Sequence, residues 1–219
     1  MIVTIDGPAG AGKSSTARLL AERLGFRFLD TGAMYRAVAL AAVERQIALE
    51  QPEALAALAP ALRIEYRDHK LWLDGRDVSR EIRTTEVTSV THYAANNPAV
   101  RQHLVELQRR AAGTDDLITD GRDQGTVVFP QAECKIFLTA SAEERARRRL
   151  QELQSRGEQT TLEEVLADQR QRDERDSSRD IGPLLPAIDS LIVCTDGMQP
   201  EEVVDHLEML VRTRMERSG

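Results

Sequence analysis

The segment that most constrains the fold lies directly after a short apolar run at the start of the chain. Its residues are Gly7, Pro8, Ala9, Gly10, Ala11, Gly12, Lys13 and Ser14. They match the pattern G-x-x-x-x-G-K-[ST] without deviation. The apolar run Ile2–Asp6 before them predicts a strand, and Ala17, Leu20 and Leu24 after them have the spacing of an amphipathic helix. A strand, a glycine-rich loop and a helix in this order predict a phosphate-binding loop on an α/β sheet.

The residue types of this loop suit the binding of ATP. Glycines let backbone N–H groups turn toward phosphate oxygens, and the following helix N-terminus adds partial positive charge. Lys13 can reach the β- and γ-phosphates, and the Ser14 hydroxyl can bind Mg²⁺. The residues expected to surround ATP are Gly7, Pro8, Ala9, Gly10, Ala11, Gly12, Lys13, Ser14 and Ser15. The alternative is a glycine-rich turn without a ligand; the spacing does not fit the dinucleotide pattern G-x-G-x-x-G.

Short apolar runs alternate with helical patterns along the chain, as in a parallel sheet with crossover helices. The predicted core strands are Ile2–Asp6, Arg27–Asp30, Leu117–Asp120, Lys135–Leu138 and Ser190–Cys194. Ser141 and Thr161 are each followed three residues later by a glutamate, a spacing typical of a capping box at a helix start. The last helix is predicted to begin near Pro200, with Val203, Val204, Leu207, Leu210 and Val211 on its apolar face.

One region departs from this alternation. Residues 62–83 alternate apolar and polar side chains and contain Asp74-Gly75, which is typical of a hairpin turn. This region predicts a small antiparallel insertion on the α/β core, and we expect it to cover a substrate. The alternative is an edge hairpin that only extends the fold.

Composition excludes several classes of protein. The chain has 219 residues, 41% hydrophobic and 30% charged, and a net charge of −7, so attraction to nucleic acid is not expected. It contains neither a run long enough to span a membrane nor a secretion signal, which favours the cytoplasm. Cys134 and Cys194 have no metal-ligand spacing and lie in apolar runs, so we expect buried, reduced thiols.

An acidic residue is expected near the phosphate loop, at the end of a neighbouring strand. Asp120 is the last residue of the predicted strand Leu117–Asp120 and precedes a glycine. A carboxylate there would help Ser14 to hold Mg²⁺ and its water shell. The alternative is a simple Asp-Gly turn.

Arginines suggest a second, acceptor phosphate. Only three of the 29 basic residues are lysines, and a guanidinium binds phosphate oxygens in a bidentate geometry. The candidate clusters are Thr31 with Arg36, Arg122 with Asp123, and Arg172 with Asp176 and Arg179. The first two follow predicted strands, at the sheet edge where ligands of α/β proteins bind. The third has the spacing of one helix face, for which the alternative is a solvated ladder of ion pairs.

The order and spacing of these motifs resemble one family from end to end. The strings GPAGAGKS, LDTGAMYRA, DGRDQGTVVFP, KIFLTAS and QRDERDSSR are similar to those of the bacterial cytidylate kinase family, as is the end of the insertion, DVSREIR. The resemblance implies transfer of the γ-phosphoryl group of ATP to CMP or dCMP, with Mg²⁺, in pyrimidine nucleotide metabolism. It also implies one domain (core 1–61 and 84–219) with a monophosphate-binding insertion at 62–83, a lid at about 145–160, and a monomeric protein.

The resemblance assigns roles to the acceptor-site candidates. Arg36 and Arg122 are implied to hold the acceptor phosphate, with Arg122 taking part in catalysis beside Lys13. Thr31, Asp123 and Arg172 are implied to contact the sugar, and Arg101, Asp176 and Arg179 the cytosine. The family often has serine at the place of Thr31, which keeps the hydroxyl. It usually has serine where this chain has His92, which can donate a hydrogen bond but can equally be a surface or packing residue.

The lid segment is rich in arginine. Its arginines are Arg145, Arg147, Arg148, Arg149 and Arg156, and the spacing of Glu143–Arg147, Glu144–Arg148 and Glu152–Arg156 favours ion pairs on a helix surface. We expect most of them to be such partners and one or two to reach the transferred phosphoryl group. Two alternatives stay open: a kinase acting on AMP, UMP or shikimate, and a nucleotide-gated binding protein without turnover.

Overall fold

The protein is described from a computed structural model, which covers residues 1–67, 69–155 and 157–218. It contains two compact units. The first consists of Met1–Phe28 and the chain from Asp115 onwards, and the second is Leu29–Thr114.

The strands and helices alternate as the sequence predicts. The strands are β1 (Ile2–Asp6), β2 (Arg27–Asp30), β3 (Ile64–Arg67), β4 (Lys70–Leu73), β5 (Arg76–Asp77), β6 (Leu117–Gly121), β7 (Cys134–Thr139) and β8 (Leu191–Cys194). The helices are α1 (Lys13–Leu24), α2 (Thr31–Glu44), α3 (Pro52–Leu58), α4 (Thr85–Asn96), α5 (Pro98–Ala112), α6 (Ala142–Ser155), α7 (Leu162–Ser177) and α8 (Pro200–Ser218). The predicted α/β fold is confirmed.

A five-stranded sheet, in the order β2-β6-β1-β7-β8, carries the functional loops. Strand β1 pairs in parallel with β6 and β7, so that Asp6 lies opposite both Gly121 and Phe137. Because parallel neighbours end at the same edge, the loops after β1 and β6 leave the sheet side by side. All residues of β6 are buried, as expected for a strand covered on both faces.

Local signals set the helix starts in the first unit. Thr161 and Glu164 exchange hydrogen bonds in a full capping box at the start of α7, and Ser141 Oγ accepts the N–H of Glu144, 3.2 Å away, at the start of α6. Helix α8 begins at Pro200 and packs against α1. Val203, Val204, Leu207 and Val211 of α8 are buried, as the spacing predicts, and Leu210 is half-buried.

The second unit contains the antiparallel insertion. Strands β3, β4 and β5 form a three-stranded sheet, and Asp74-Gly75, with φ of 51° and 83°, makes the turn between β4 and β5. The insertion therefore has one strand more than a simple hairpin. Helix α2 packs against α4. Position 68 lies outside the described residues.

The two cysteines differ. Cys134 is buried in β7, whereas Cys194 is exposed, so the expectation of two buried thiols is wrong for Cys194. Strand β8 is at the edge of the sheet, and its alternate residues Ile192 and Cys194 face solvent while Val193 is buried. Across the described ranges, no helix is long and apolar enough to cross a membrane.

Candidate active site

The phosphate loop packs tightly on the sheet. A Cβ atom at Gly7 would lie 1.9 Å from the backbone oxygen of Leu138 on β7, so only glycine fits there. Gly12 adopts a φ of 88°, which favours glycine, and α1 begins at the next residue. These glycines bring the N-terminus of α1 to the carboxyl edge of the sheet, where it can bind an anion.

Lys13 is buried within its own loop. Its Nζ donates to the backbone oxygen of Pro8 at 2.7 Å, and the side chain is 6% exposed. Burial lowers the pKa of Lys13 well below its ordinary value, and the positive charges of Arg122 and Arg172 lower it further. The lysine therefore lies among backbone and charged side chains of both signs, and the phosphates of a nucleotide would add negative charge that favours its protonated form.

Ser14 and Asp120 are in contact. Ser14 Oγ donates to Asp120 Oδ2 at 2.5 Å, joining the start of α1 to β6. Asp120 is buried, and its charge raises the pKa of Lys13, which places it near the lysine as well. The structure thus brings together the two residues that the sequence suggests for Mg²⁺.

Asp6 is a second buried acid at this edge, and no role was predicted for it from the sequence. Its two carboxylate oxygens accept the N–H groups of Gln124 and Gly125, each at 2.8 Å. Burial raises the pKa of Asp6 to about 6 despite these hydrogen bonds. The signal available in the sequence was an acid at the end of an apolar strand, directly before the phosphate loop. Asp6 fixes the backbone that follows Arg122 and Asp123.

Arg122, Asp176 and Arg179 form a buried cluster in the first unit. Asp176 accepts from Arg122 Nε at 2.8 Å and from Arg179, and its side chain is 6% exposed. Burial raises the pKa of Asp176, but Arg122 and Arg179 outweigh it and hold the pKa below the ordinary value. Asp176 and Arg179 are therefore not a solvated ladder.

Arg172 and Asp123 extend this cluster. Arg172 is exposed on α7, yet its charge lowers the pKa of both Lys13 and Asp176, so it lies within electrostatic range of each. Asp123 is 3% exposed and raises the pKa of Asp6. All five acceptor-site candidates of the first unit thus lie directly after β6, on α7 or just beyond its end.

The second unit holds a separate arginine cluster around Asp30. The Asp30 carboxylate caps α2 by accepting the N–H of Ala33 at 2.8 Å, and it also binds Arg36 at 3.2 Å and Arg83 at 2.9 Å. Burial opposes ionisation of Asp30, but the two arginines hold its pKa below the ordinary value. Thr31, the first residue of α2, is buried beside this cluster. Arg83 is the last residue of the string DVSREIR, and no role was predicted for it from the sequence.

Arg101 and His92 lie on neighbouring helices of the second unit. Arg101 is 3% exposed, donates to the Ala95 oxygen at 3.3 Å and lies over the Tyr35 ring at 5.7 Å. His92 is half-buried; its Nδ1 lies 2.8 Å from the Ser89 oxygen, within its own helix.

The lid arginines divide into two kinds. Arg147 and Arg148 bind Glu144, and Arg149 binds Glu152, as ion-pair partners on the helix. Arg148 is half-buried and also donates to the Thr195 backbone oxygen at 2.8 Å. Glu143 pairs with Arg170, so the expected Glu143–Arg147 pair is wrong; Glu144, one residue later, is nearer to Arg147 in the helical turn. Position 156, and with it the expected Glu152–Arg156 pair, lies outside the described residues.

Arg145 is the exception among them, because it is buried. Its Nη1 donates to the backbone oxygen of Ala9 in the phosphate loop at 3.0 Å, its Nε donates to Ala140 O at 3.0 Å, and it pairs with Asp173 at 2.7 Å. A position in the first turn of α6, directly after β7, turns this side chain toward the loop. Arg145 is therefore not one of the surface partners, and whether it reaches the transferred phosphoryl group stays a prediction.

A parallel sheet, a lysine-bearing phosphate loop and a nearby cluster of arginines define a small-molecule kinase of the P-loop class. Within that class, the family model for cytidylate kinase matches residues 3–213. The chain belongs to the cytidylate kinase family.

Curated relatives agree over nearly the whole length. The chain is 51% identical over 219 residues to the cytidylate kinase of Rhodopirellula baltica, covering 100% of this chain and 96% of that one. It is 47% identical over 217 residues to the cytidylate kinase of Desulfitobacterium hafniense, covering 98% and 94%. A solved structure, an uncharacterized protein from Eubacterium ventriosum, has a TM-score of 0.52 at 10% identity, with 98% of each chain covered, and shows the fold alone.

Proposed function

We propose that this protein transfers the γ-phosphoryl group of ATP to CMP or dCMP, giving ADP and CDP or dCDP. The observation that carries the proposal is the contact between Ser14 Oγ and Asp120 Oδ2 at 2.5 Å, which holds the phosphate loop with Lys13 against the strand end that Arg122 follows. One cation suited to the donor phosphates and one suited to the acceptor phosphate thus lie close together in the same unit.

The donor side consists of the phosphate loop. ATP contacts Gly7, Pro8, Ala9, Gly10, Ala11, Gly12, Lys13, Ser14 and Ser15, with the loop N–H groups and Lys13 around the phosphates. Once those phosphates replace the Pro8 oxygen as its partner, Lys13 is held in its charged form.

The residues present fit Mg²⁺ as the cofactor. The Ser14 hydroxyl and the Asp120 carboxylate already touch, and a hydroxyl with a carboxylate nearby is the protein contribution that Mg²⁺ uses beside nucleotide phosphates. Among the described residues, no group of three His, Cys, Asp or Glu side chains could hold a metal ion. When bound, Mg²⁺ neutralises phosphate charge; Ser14 and Asp120 are the residues that would hold it.

The acceptor side follows the family resemblance. Arg36 and Arg122 hold the CMP phosphate, and Thr31, Asp123 and Arg172 contact the sugar. Arg101, Asp176 and Arg179 bind the cytosine, where the Asp176 carboxylate can accept from the N4 amino group. Asp176 is ionised and already accepts from two arginines, which supports a role as a hydrogen-bond acceptor.

The reaction is a direct transfer. A phosphate oxygen of CMP attacks the γ-phosphorus of ATP, and the bond from that phosphorus to the β-phosphate oxygen breaks, releasing ADP. A phosphate monoester is mostly a dianion at neutral pH, because its second pKa is about 6, so the attacking oxygen needs no protein base. Lys13 and Arg122 neutralise the charge on the transferred group. We place this activity in the cytoplasm, in a monomer without nucleic-acid or membrane partners.

Release of ADP with a panel of acceptors tests the proposal. ATP with CMP or dCMP should release ADP rapidly, ATP with UMP, AMP or shikimate slowly, and ATP alone least. Lys13→Ala should lower kcat by about 10³-fold or more, because the phosphates lose their nearest fixed cation. The exposed Arg212 on α8 supplies the control, Arg212→Ala, which should keep the parental kcat. A folded Lys13→Ala protein with unchanged kcat, or equal rates with every acceptor, contradicts the proposal.

A further inference from the structure

The backbone oxygen of Ala9, in the phosphate loop, receives hydrogen bonds from two helices. Gln169 Nε2 on α7 donates to it at 2.6 Å, and Arg145 Nη1 on α6 donates at 3.0 Å. Gln169 lies 160 positions further along the chain and is 7% exposed. A buried amide thus contacts the loop that is proposed to bind ATP.

The contacts at the Ala9 oxygen leave no space for a side chain at Gly10. A Cβ atom at Gly10, where φ is +79°, would lie 2.8 Å from Gln169 Nε2 and 3.2 Å from Arg145 Cβ. The loop, α6 and α7 therefore meet at the Ala9–Gly10 peptide, and a glycine permits that approach.

The peptide geometry gives this contact a consequence for phosphate binding. In a trans peptide the C=O of Ala9 and the N–H of Gly10 lie in one plane and point in opposite directions. Donors that hold the Ala9 oxygen toward α7 therefore turn the Gly10 N–H away from α7. Inward-facing N–H groups are what such a loop offers to phosphate oxygens.

Helix α7 acts on this oxygen by two routes. Gln169 binds it directly, and Asp173, one turn later, pairs with Arg145 at 2.7 Å and so orients the second donor. Gln169 Oε1 is buried without a hydrogen-bond partner among the described residues, which is unfavourable. The hydrogen bond from Gln169 Nε2 to the Ala9 oxygen offsets this cost and keeps the side chain in place.

We propose that Gln169 is a positioning residue for the ATP phosphate loop: it fixes the Ala9–Gly10 peptide so that the Gly10 N–H faces the phosphates. The inference rests on the proposed function for its substrate, ATP. Asp176, seven residues after Gln169 on α7, belongs to the acceptor cluster, so one helix reaches both the donor loop and the acceptor cluster of the first unit.

Two substitutions of Gln169 distinguish the effect of its N–H donor from the effect of its side-chain size. Gln169→Met keeps the length and helix propensity but removes the N–H donor. Gln169→Glu keeps the shape and places a carboxylate against the Ala9 oxygen. Gln171→Met, at an exposed position on the same helix, is the matched control.

The readouts are ATP affinity by calorimetry without CMP, the KM values for ATP and CMP, kcat, and the melting temperature. Gln169→Met should weaken ATP by about tenfold, the value of one hydrogen bond, while KM for CMP stays within about twofold. Gln169→Glu should weaken ATP more than Gln169→Met, and Gln171→Met should match the parent.

Each outcome decides. A Gln169→Met protein that binds ATP like the parent overturns the inference, and so does a loss of ATP and CMP affinity in equal measure with a lower melting temperature, which marks a purely structural role. If Gln169→Met does not fold, Gln169→Glu is judged by the same criteria. Calorimetry measures ATP binding without any phosphoryl transfer. If the parent protein binds ATP but does not phosphorylate CMP, the proposed function is contradicted. The role of Gln169 is then still decided by the ATP affinities of its variants.

Discussion

Replacing Asp176 by asparagine tests the acceptor cluster most sharply. Asp176→Asn keeps the shape but removes the charge that binds Arg122 and Arg179. Each charge-assisted hydrogen bond contributes about 1.5–3 kcal/mol, and the amide oxygen can keep one neutral bond of about 1 kcal/mol. The side chains of all three residues are at least four-fifths buried, so solvent screens these bonds little. The expected loss of stability is about 3 kcal/mol, or about 6–12 °C in melting temperature for a chain of this size.

The same substitution should change substrate selection. An amide can donate as well as accept, so it no longer repels the carbonyl that uracil has in place of the cytosine amino group. We expect kcat/KM for CMP to fall by about 10- to 100-fold and the CMP/UMP ratio to approach unity. The assay is kcat/KM for CMP and UMP, with Asp168→Asn, at an exposed position of α7, as the matched control. A folded Asp176→Asn protein with the parental CMP/UMP ratio would refute cytosine recognition by Asp176.

Two further predictions concern stability. Because the pKa of Asp6 is raised to about 6 in the folded protein, its folded form holds a proton that the unfolded chain has lost between about pH 4 and 6. Its contribution to the free energy of unfolding therefore falls by about 3 kcal/mol as pH rises through this window. Urea titrations at several pH values should show that Asp6→Asn gains stability relative to the parent as pH rises. A difference in stability that does not change with pH contradicts this prediction. Thr161→Ala removes the capping box of α7 and should cost about 1 kcal/mol, or about 2–4 °C in melting temperature by circular dichroism, and an unchanged melting temperature contradicts that role.

The sequence predicted the elements whose causes are local. Apolar runs located β1, β2, β6, β7 and β8 to within about one residue at each end, because burial on both faces of a parallel sheet demands such runs. The phosphate loop was equally predictable, since its glycines, lysine and hydroxyl all lie in one segment.

Contacts between distant segments were not predictable in the same way. Nothing near Arg145 in the sequence distinguishes it from the surface arginines that follow; its burial depends on Ala9, 136 positions away. Gln169 is one polar residue among many on α7 until the fold places it on the phosphate loop. Asp6 has a functional position only because Gln124 and Gly125 return to the end of β1. The exposure of Cys194 likewise depends on β8 being the last strand of the sheet, which strand order alone decides.

The grouping of arginines was predicted in part. The helical spacing of Arg172, Asp176 and Arg179 indicated a shared face, but the partner of that face, Arg122, comes from a different strand end. For His92, a contact with the base and a surface or packing role both stay open, and its Nδ1 contacts its own helix.

The most direct test of the account is the fate of the terminal phosphate of ATP. ATP labelled with ³²P in the γ-position is incubated with the protein and CMP, and the products are separated after a single turnover and at steady state. Direct transfer predicts that the label appears in CDP from the first turnover, with none on the protein and little in inorganic phosphate, and that Lys13→Ala abolishes it. Label in inorganic phosphate at the same rate with and without CMP, or label held on the protein before CDP forms, would contradict the account.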